Sequence, residues 1–351
     1  PGYGVEDYEV CKKYDDIGIL VCVDATGHQT EEAGEFAGLD TNEANKAIAA
    51  KLTEVGAMLA TESIVHQYPH CWRCHKPIIY RATEQWFCSV KGFKDEAIQA
   101  IESVKWIPAW GEDRIKGMVQ DRSDWCISRQ RTWGVPIPII YCKNCKKPIV
   151  NDTTIQNIAD LFRAEGADAW WTKDVSEFIS PDVVCECGCR EFTKEYDIMD
   201  VWFDSGVSHS AVLEQYDCLQ WPADLYLEGA DQYRGWFQSS LLTSVVYKGK
   251  APYKAVCTHG WVVDGEGRKM SKSLGNGIMP DEIIQQYGAD ILRLWVASSD
   301  YHSDIRISKE ILKQLSDAYK KIRNTARYIL GNLGNGNGFH PDQDAVSDDQ
   351  L

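Results

Sequence analysis

Across residues 196–300 short apolar runs alternate with longer helical patterns, and nothing else in the chain limits its fold as much. Residues 198–203, 225–228 and 255–259 read as strands, and a helix fits residues 233–247. Strands separated by crossover helices point to a parallel sheet, so the expected class is α/β. Helical spacing returns over 280–299 and 308–330. In such a sheet ligands bind beyond the carboxyl ends of strands, beside helix N-termini. The residues that close each strand are therefore the first candidates for a site.

Three junctions carry the right chemistry. After the second run come Glu228, Gly229, Asp231 and Gln232, then Trp236. Gly229 permits close approach, Glu228 and Asp231 can accept from ribose hydroxyls, and Gln232 can donate to a carboxylate. An ordinary polar strand–helix loop has the same look. The first run leads into Asp200-Val201-Trp202-Phe203, which repeats that geometry. Trp202 and Trp236 together would frame an apolar slot for a branched aliphatic group, although a tryptophan alone is more often core. The third run ends in His259 and Gly260. Gly260 would let a ligand approach the backbone. His259 faces adenine or phosphate, or is simply a structural histidine. Downstream, Gly267-Arg268-Lys269-Met270-Ser271-Lys272-Ser273 gathers three cations among hydroxyls and glycines, a composition suited to wrapping a polyphosphate.

The 13 cysteines cluster as Cys71/Cys74, Cys142/Cys145 and Cys185, Cys187, Cys189. Cys142, Cys145, Cys185 and Cys187 supply four thiolates from two turns, as a structural tetrahedral Zn²⁺ site requires. Cys189 could replace Cys187. Cys71 and Cys74 are half of another such site. Upstream, residues 17–23 read as a strand and 41–55 as a helix capped by Thr41. Residues 94–104 and 154–165 are further helix candidates, and 331–351 reads as loop. The net charge of −15 makes any nucleic-acid contact a local one. No apolar run reaches the ~18 residues of a membrane span. The first residues show no leader and read as a cut inside a longer chain.

The string Tyr68-Pro69-His70-Cys71-Trp72-Arg73, the block Asp124-Trp125-Cys126-Ile127-Ser128-Arg129-Gln130-Arg131-Thr132-Trp133-Gly134 and the loop Lys269-Met270-Ser271-Lys272-Ser273 together resemble isoleucyl-tRNA synthetases of class I, over nearly the whole chain. The resemblance implies the C-terminal half of a Rossmann-type catalytic core. It divides the chain into an editing-domain remnant (1–65), a return segment with half a zinc knuckle (66–95), the core (96–300) with a zinc-ribbon insertion at about 140–195, and the start of a helical tRNA-contacting region (301–351).

The family's roles then fall on particular residues. Lys269 and Lys272 are the catalytic lysines on the ATP phosphates, with Met270, Ser271 and Ser273 in the same loop. Glu228, Gly229, Asp231, Gln232, His259 and Gly260 bind ATP and the adenylate, Gln232 lying near the substrate carboxylate. Trp202 and Trp236 wall the isoleucine side chain, and Asp7 is the acidic residue of the editing site. The family usually has His where Tyr3 stands. The implied cofactors are structural Zn²⁺, and Mg²⁺ with ATP. The implied partners are ATP, L-isoleucine and tRNA(Ile), for a cytoplasmic monomer with no membrane contact. The family's other ATP signature, His-Ile-Gly-His, is not in the chain, so the 351 residues alone are expected not to activate an amino acid. Two alternatives stay open: a valyl or leucyl member of the same subclass, and a piece with a binding or structural role only.

Overall fold

The computed structural model describes residues 2–71, 73–271 and 274–333. They form two compact units, one ending at Gln85 and one beginning at Trp86.

The first unit holds α1 (Val5–Cys11) and α2 (Thr41–Glu54). Asp40, not Thr41, caps α2. Its carboxylate accepts from the N–H groups of Asn42 and Glu43, and the Glu43 side chain accepts from the Asp40 N–H, a complete capping box. Residues 17–23 are not a strand; within them only Val23 makes a bridge, to Gln29. The run has no partner strand to take its backbone groups, and Ile17, Ile19 and Leu20 remain exposed.

The second unit opens with β1 (Phe87–Cys88), α3 (Lys94–Glu102), β2 (Lys105–Ile107), α4 (Trp110–Gln120), β3 (Trp125–Cys126) and β4 (Ser128–Arg129). A small insertion follows: β5 (Ile140–Cys142), β6 (Pro148–Ile149), α5 (Asp152–Glu165), α6 (Ala169–Thr172) and β7 (Phe192–Lys194). The chain then runs through β8 (Ile198–Met199), α7 (Val201–Gly206), α8 (Ser208–Ala211), β9 (Tyr226–Gly229), α9 (Trp236–Lys248) and β10 (Ala255–His259). It closes with β11 (Val262–Val263), α10 (Pro280–Tyr287), α11 (Ala289–Ala297), β12 (Ile305–Arg306) and α12 (Lys309–Leu333).

The expected parallel sheet forms in the order β2–β10–β9, with Val256 opposite both Trp106 and Tyr226. β10 keeps its predicted bounds. α3, α4 and α9 contribute to the core over it, and Phe237, Leu241 and Leu242 of α9 are fully enclosed. Gly249, in the left-handed region at φ 68°, ends α9. The insertion has its own core around Trp170 and Phe178, whose ring centroids lie 4.8 Å apart, beside the antiparallel sheet β6–β5–β7. A third cluster joins Ile283, Ile291, Trp295, Ile307 and Leu312. Among the described residues no helix is long and apolar enough to cross a membrane.

Four further expectations change. The run 198–203 is a strand only to Met199, and β8 pairs antiparallel with β4, outside the parallel sheet. At Asp200 the backbone carbonyl accepts from Phe203 and Asp204, which turns the chain into α7. The helix expected from Tyr233 begins at Trp236, because a short 3₁₀ turn (Ala230–Arg234) precedes it. The pattern over 280–299 is two helices, split at Gly288 with φ 89°. The tail expected to be loop from Gly331 continues α12 to Leu333, and residues 334–351 lie outside the described residues.

Candidate functional site

β9 and β10 end side by side, with Gly229 in register opposite His259. A Cβ on Gly229 would stand 2.8 Å from Asp231 Oδ1 and 3.6 Å from His259 Cε1, so the missing side chain lets these two groups converge. His259 Nδ1 lies 2.8 Å from the Gly260 carbonyl, so Nδ1 carries the donated proton. Asp231, His259 and Gly260 line a cavity of about 310 Å³ together with Trp110 and Arg114. The Arg114 guanidinium sits 5.7 Å from the Trp110 ring and 5.6 Å from Tyr233. Sequence reasoning missed this cation. The Trp110/Arg114 spacing of four on α4, which puts both on one face, was the available signal.

Gly260 is required for a reason other than the expected one. A Cβ there would run into the Ser303 carbonyl and the Asp304 backbone nitrogen. The Gly260 N–H donates to the Tyr301 carbonyl at 2.9 Å. The chain's own backbone, not a ligand, takes the space. Glu228 is exposed at the end of β9.

Gln232 joins this polar end to an apolar one. Its amide oxygen accepts from the Trp236 N–H at 2.9 Å, at the start of α9, while its amide nitrogen donates to Asp231 at 3.3 Å. Trp236 lies flat on Tyr226, with centroids 4.0 Å apart and planes 9° apart. The Trp236 indole N–H donates to the Ser205 carbonyl of α7 at 3.0 Å. Trp202, also on α7, packs over Gly235 so closely that a Cβ there would meet its ring at 3.0 Å. Both indoles are thus tied to α7, Trp202 as part of it and Trp236 through the Ser205 carbonyl. Asp200, one residue before α7, is 4% exposed and accepts from the Trp125 indole at 2.9 Å and the Arg129 guanidinium at 3.2 Å.

The lysine-rich loop is one arm of a hairpin in which Lys269 bridges back to Val263. Asp264 organises it. Its carboxylate accepts from the N–H groups of Glu266 and Arg268, from the Arg268 side chain and from the Asn276 amide. These donors, the Asn276 amide foremost, hold the Asp264 carboxyl far below the usual carboxylate range. Arg268 is engaged by Asp264 and Glu266. Lys269 is exposed, and its carbonyl accepts from the Asn276 amide at 3.2 Å. Met270 packs against the third cluster, and the Ser271 N–H donates to Asn276 Oδ1 at 2.9 Å. Lys272 and Ser273 lie outside the described residues. The roles of Asp264 and Asn276 were missed, although Asp-Gly-Glu-Gly at 264–267 is a turn signal.

Cys142, Cys145, Cys185 and Cys187 place their sulfurs within 4.8 Å of one another. Cys142 Sγ lies 3.6 Å from Cys187 and Cys145 Sγ 3.5 Å from Cys185. Four thiolates about 2.3 Å from a tetrahedral Zn²⁺ stand about 3.8 Å apart, so the donor set and its spacing fit. The backbone N–H of Cys145 lowers the Cys142 thiol, while burial and the neighbouring sulfurs push that of Cys185 up, as expected of thiols crowded round one point. Cys189 does not replace Cys187; its sulfur bonds to the backbone of Glu191 instead. Cys71 and Cys74 sit on a knuckle closed by the Cys71 N–H to Lys76 and the His75 N–H to Cys71, and no third ligand joins them among the described residues. Asp7 lies exposed on α1 and does not line the 530 Å³ cleft of the first unit.

A family model described as tRNA synthetases class I (I, L, M and V) matches residues 5–308. The chain is 61% identical over its whole length to an isoleucine--tRNA ligase of Caldicellulosiruptor bescii and 58% identical to that of Moorella thermoacetica. It spans 38% and 37% of those relatives' lengths. Among solved structures, methionyl-tRNA synthetase of Mycobacterium tuberculosis in complex with methionyl-adenylate aligns at TM-score 0.47 and 19% identity, over 77% of this chain and 43% of that one.

Proposed function

The chain belongs to the class I tRNA synthetases (I, L, M and V), and on that premise we propose that it is the part of an isoleucine--tRNA ligase that grips the adenylate. One observation carries the reading. Gln232 donates to the Asp231 carboxylate at the polar strand ends and accepts from the backbone N–H of Trp236, so it stands between the residues assigned to adenosine and those assigned to a branched aliphatic side chain.

In the proposed reaction the isoleucine carboxylate attacks the α-phosphorus of ATP. The bond from that phosphorus to the oxygen bridging to the β-phosphate breaks and pyrophosphate leaves; a 3′-terminal hydroxyl of tRNA(Ile) then attacks the isoleucyl carbonyl and AMP leaves. Mg²⁺ enters with ATP as part of the substrate. Asp231 and Glu228 hold the ribose, Gln232 the carboxylate end, and Trp202 and Trp236 the side chain. Lys269 and Lys272 meet the charge that builds on the phosphates, where electrostatic stabilisation contributes most. The slot alone separates isoleucine from valine by only ~1–3 kcal/mol, a limit for which isoleucyl enzymes are the usual illustration. A hydrolytic editing site is therefore part of the proposal, with Asp7 in it. Zn²⁺ on the four cysteines closes the ribbon as a structural ion with no open coordination position. The protein acts as a cytoplasmic monomer.

Isoleucine-dependent exchange between ATP and pyrophosphate in the full-length protein tests this. Lys272→Ala is expected to abolish exchange, and Lys269→Ala to lower it about 10²–10³-fold. Exchange that depends on valine or leucine in place of isoleucine, or that survives both substitutions, overturns the assignment.

A further inference from the structure

We propose that Asp200 is a positioning residue that sets the shape of the amino-acid slot. This rests on the reading of Trp202 as one of its walls. Asp200 stands two residues before Trp202, at the step from β8 to α7. It is almost fully buried, a position a carboxylate occupies only when paired. Its Oδ2 receives the Trp125 indole N–H at 2.9 Å and lies 3.2 Å from the Arg129 guanidinium. Its backbone N–H donates to the Ile127 carbonyl at 2.7 Å. Asp200 is thus fastened to both arms of the β3–β4 segment.

Those partners are themselves held. Arg129 donates to the carbonyls of Cys126 and Ser128 at 2.8 and 2.7 Å, and the Arg122 guanidinium stacks 5.3 Å from the Trp125 ring. From this fixed point α7 carries Trp202 onto Gly235, and its Ser205 carbonyl holds the Trp236 indole. One wall is carried by a helix whose N-cap residue is tied down by its own carboxylate, and the other is bonded to that helix. Cavities of about 800 and 680 Å³ flank the same residue, so α7 has room to tilt if the tie is lost.

Loss of the tie acts on the side-chain end of the ligand and leaves the phosphate end alone. In the full-length protein, Asp200→Asn keeps the acceptor for Trp125 and removes the charge facing Arg129. It is expected to raise KM for isoleucine about tenfold with KM for ATP held, and to narrow the isoleucine-to-valine ratio in exchange. Trp125→Phe removes the indole donor while leaving the carboxylate, and is expected to shift the same two quantities. A thermal unfolding curve on each variant separates a folding loss from this effect; if Asp200→Asn does not fold, Trp125→Phe decides. Equal rises in both KM values, or no change in either variant, overturn the proposal. Wild-type protein without isoleucine-dependent exchange would instead remove the functional reading beneath it.

Discussion

The cysteine ribbon and the lysine hairpin were the two clearest strings in the sequence, and the fold treats them in opposite ways. The ribbon closes on itself: four sulfurs face one point, and a small core of Trp170, Phe178 and Ile158 stands behind them. The hairpin is tightly fastened at its base by Asp264 and Asn276, yet its Lys269 reaches into solvent. A motif whose groups satisfy one another builds structure. A motif whose base is satisfied and whose Lys269 side chain stands exposed is suited to meet something else.

The contrast can be broken most sharply at the ribbon. The purified chain is expected to carry one zinc, and Cys142→Ser is expected to release it; metal analysis and limited proteolysis within residues 140–195 report both. Zinc in small structural sites contributes roughly 10–16 kcal/mol of apparent folding free energy, so this is the largest effect expected. Trp170→Ala comes next, at about 3–5 kcal/mol for a fully enclosed tryptophan. If the zinc stoichiometry survives that change while the melting temperature falls, metal and core hold the ribbon separately.

At the hairpin, Asp264→Asn keeps the size of the side chain and removes its charge. The expected result is a several-fold loss of exchange with little change in global unfolding, because the arm bearing Lys269 loses its anchor. The smallest effect is in pH. The Asp264 carboxyl is depressed in the folded protein, so its contribution is present above the unfolded carboxylate value of about 4 and fades as pH falls below it. Hydrogen exchange of the Glu266 and Arg268 amides, which donate to Asp264, should rise relative to the ribbon as the pH is lowered from 5 to 3 once the intrinsic pH dependence is removed. A ribbon that loosens in step with it would erase the distinction.

How legible each part was depended on how far away its deciding partner sits. β10, α2 and the cysteine pairs declare themselves within a few residues: the two elements keep their expected bounds to within one residue, and the four sulfurs do cluster. Residues 198–203 are apolar enough to read as one strand, yet the chain turns into α7 at Asp200, whose carboxylate is committed to Trp125, 75 positions away. The same distance effect hid Arg114 from the strand-end cavity and gave residues 17–23 a strand that lacks a partner. The site residues fared better as types than as contacts. Trp202 packs over Gly235 and the Trp236 indole bonds to the Ser205 carbonyl, contacts that no spacing rule indicates.

Gly260 carries a warning for anyone who maps this surface by mutation. It sits beside His259 on the rim of the strand-end cavity, and almost any replacement there should abolish activity. That loss would look like a ligand contact in a functional screen. Yet the side chain would collide with the Ser303–Asp304 backbone before any substrate arrived. Variants at 260 should therefore be sorted by yield and solubility before kinetics, and a dead Gly260→Ala enzyme would be silent about what the cavity binds.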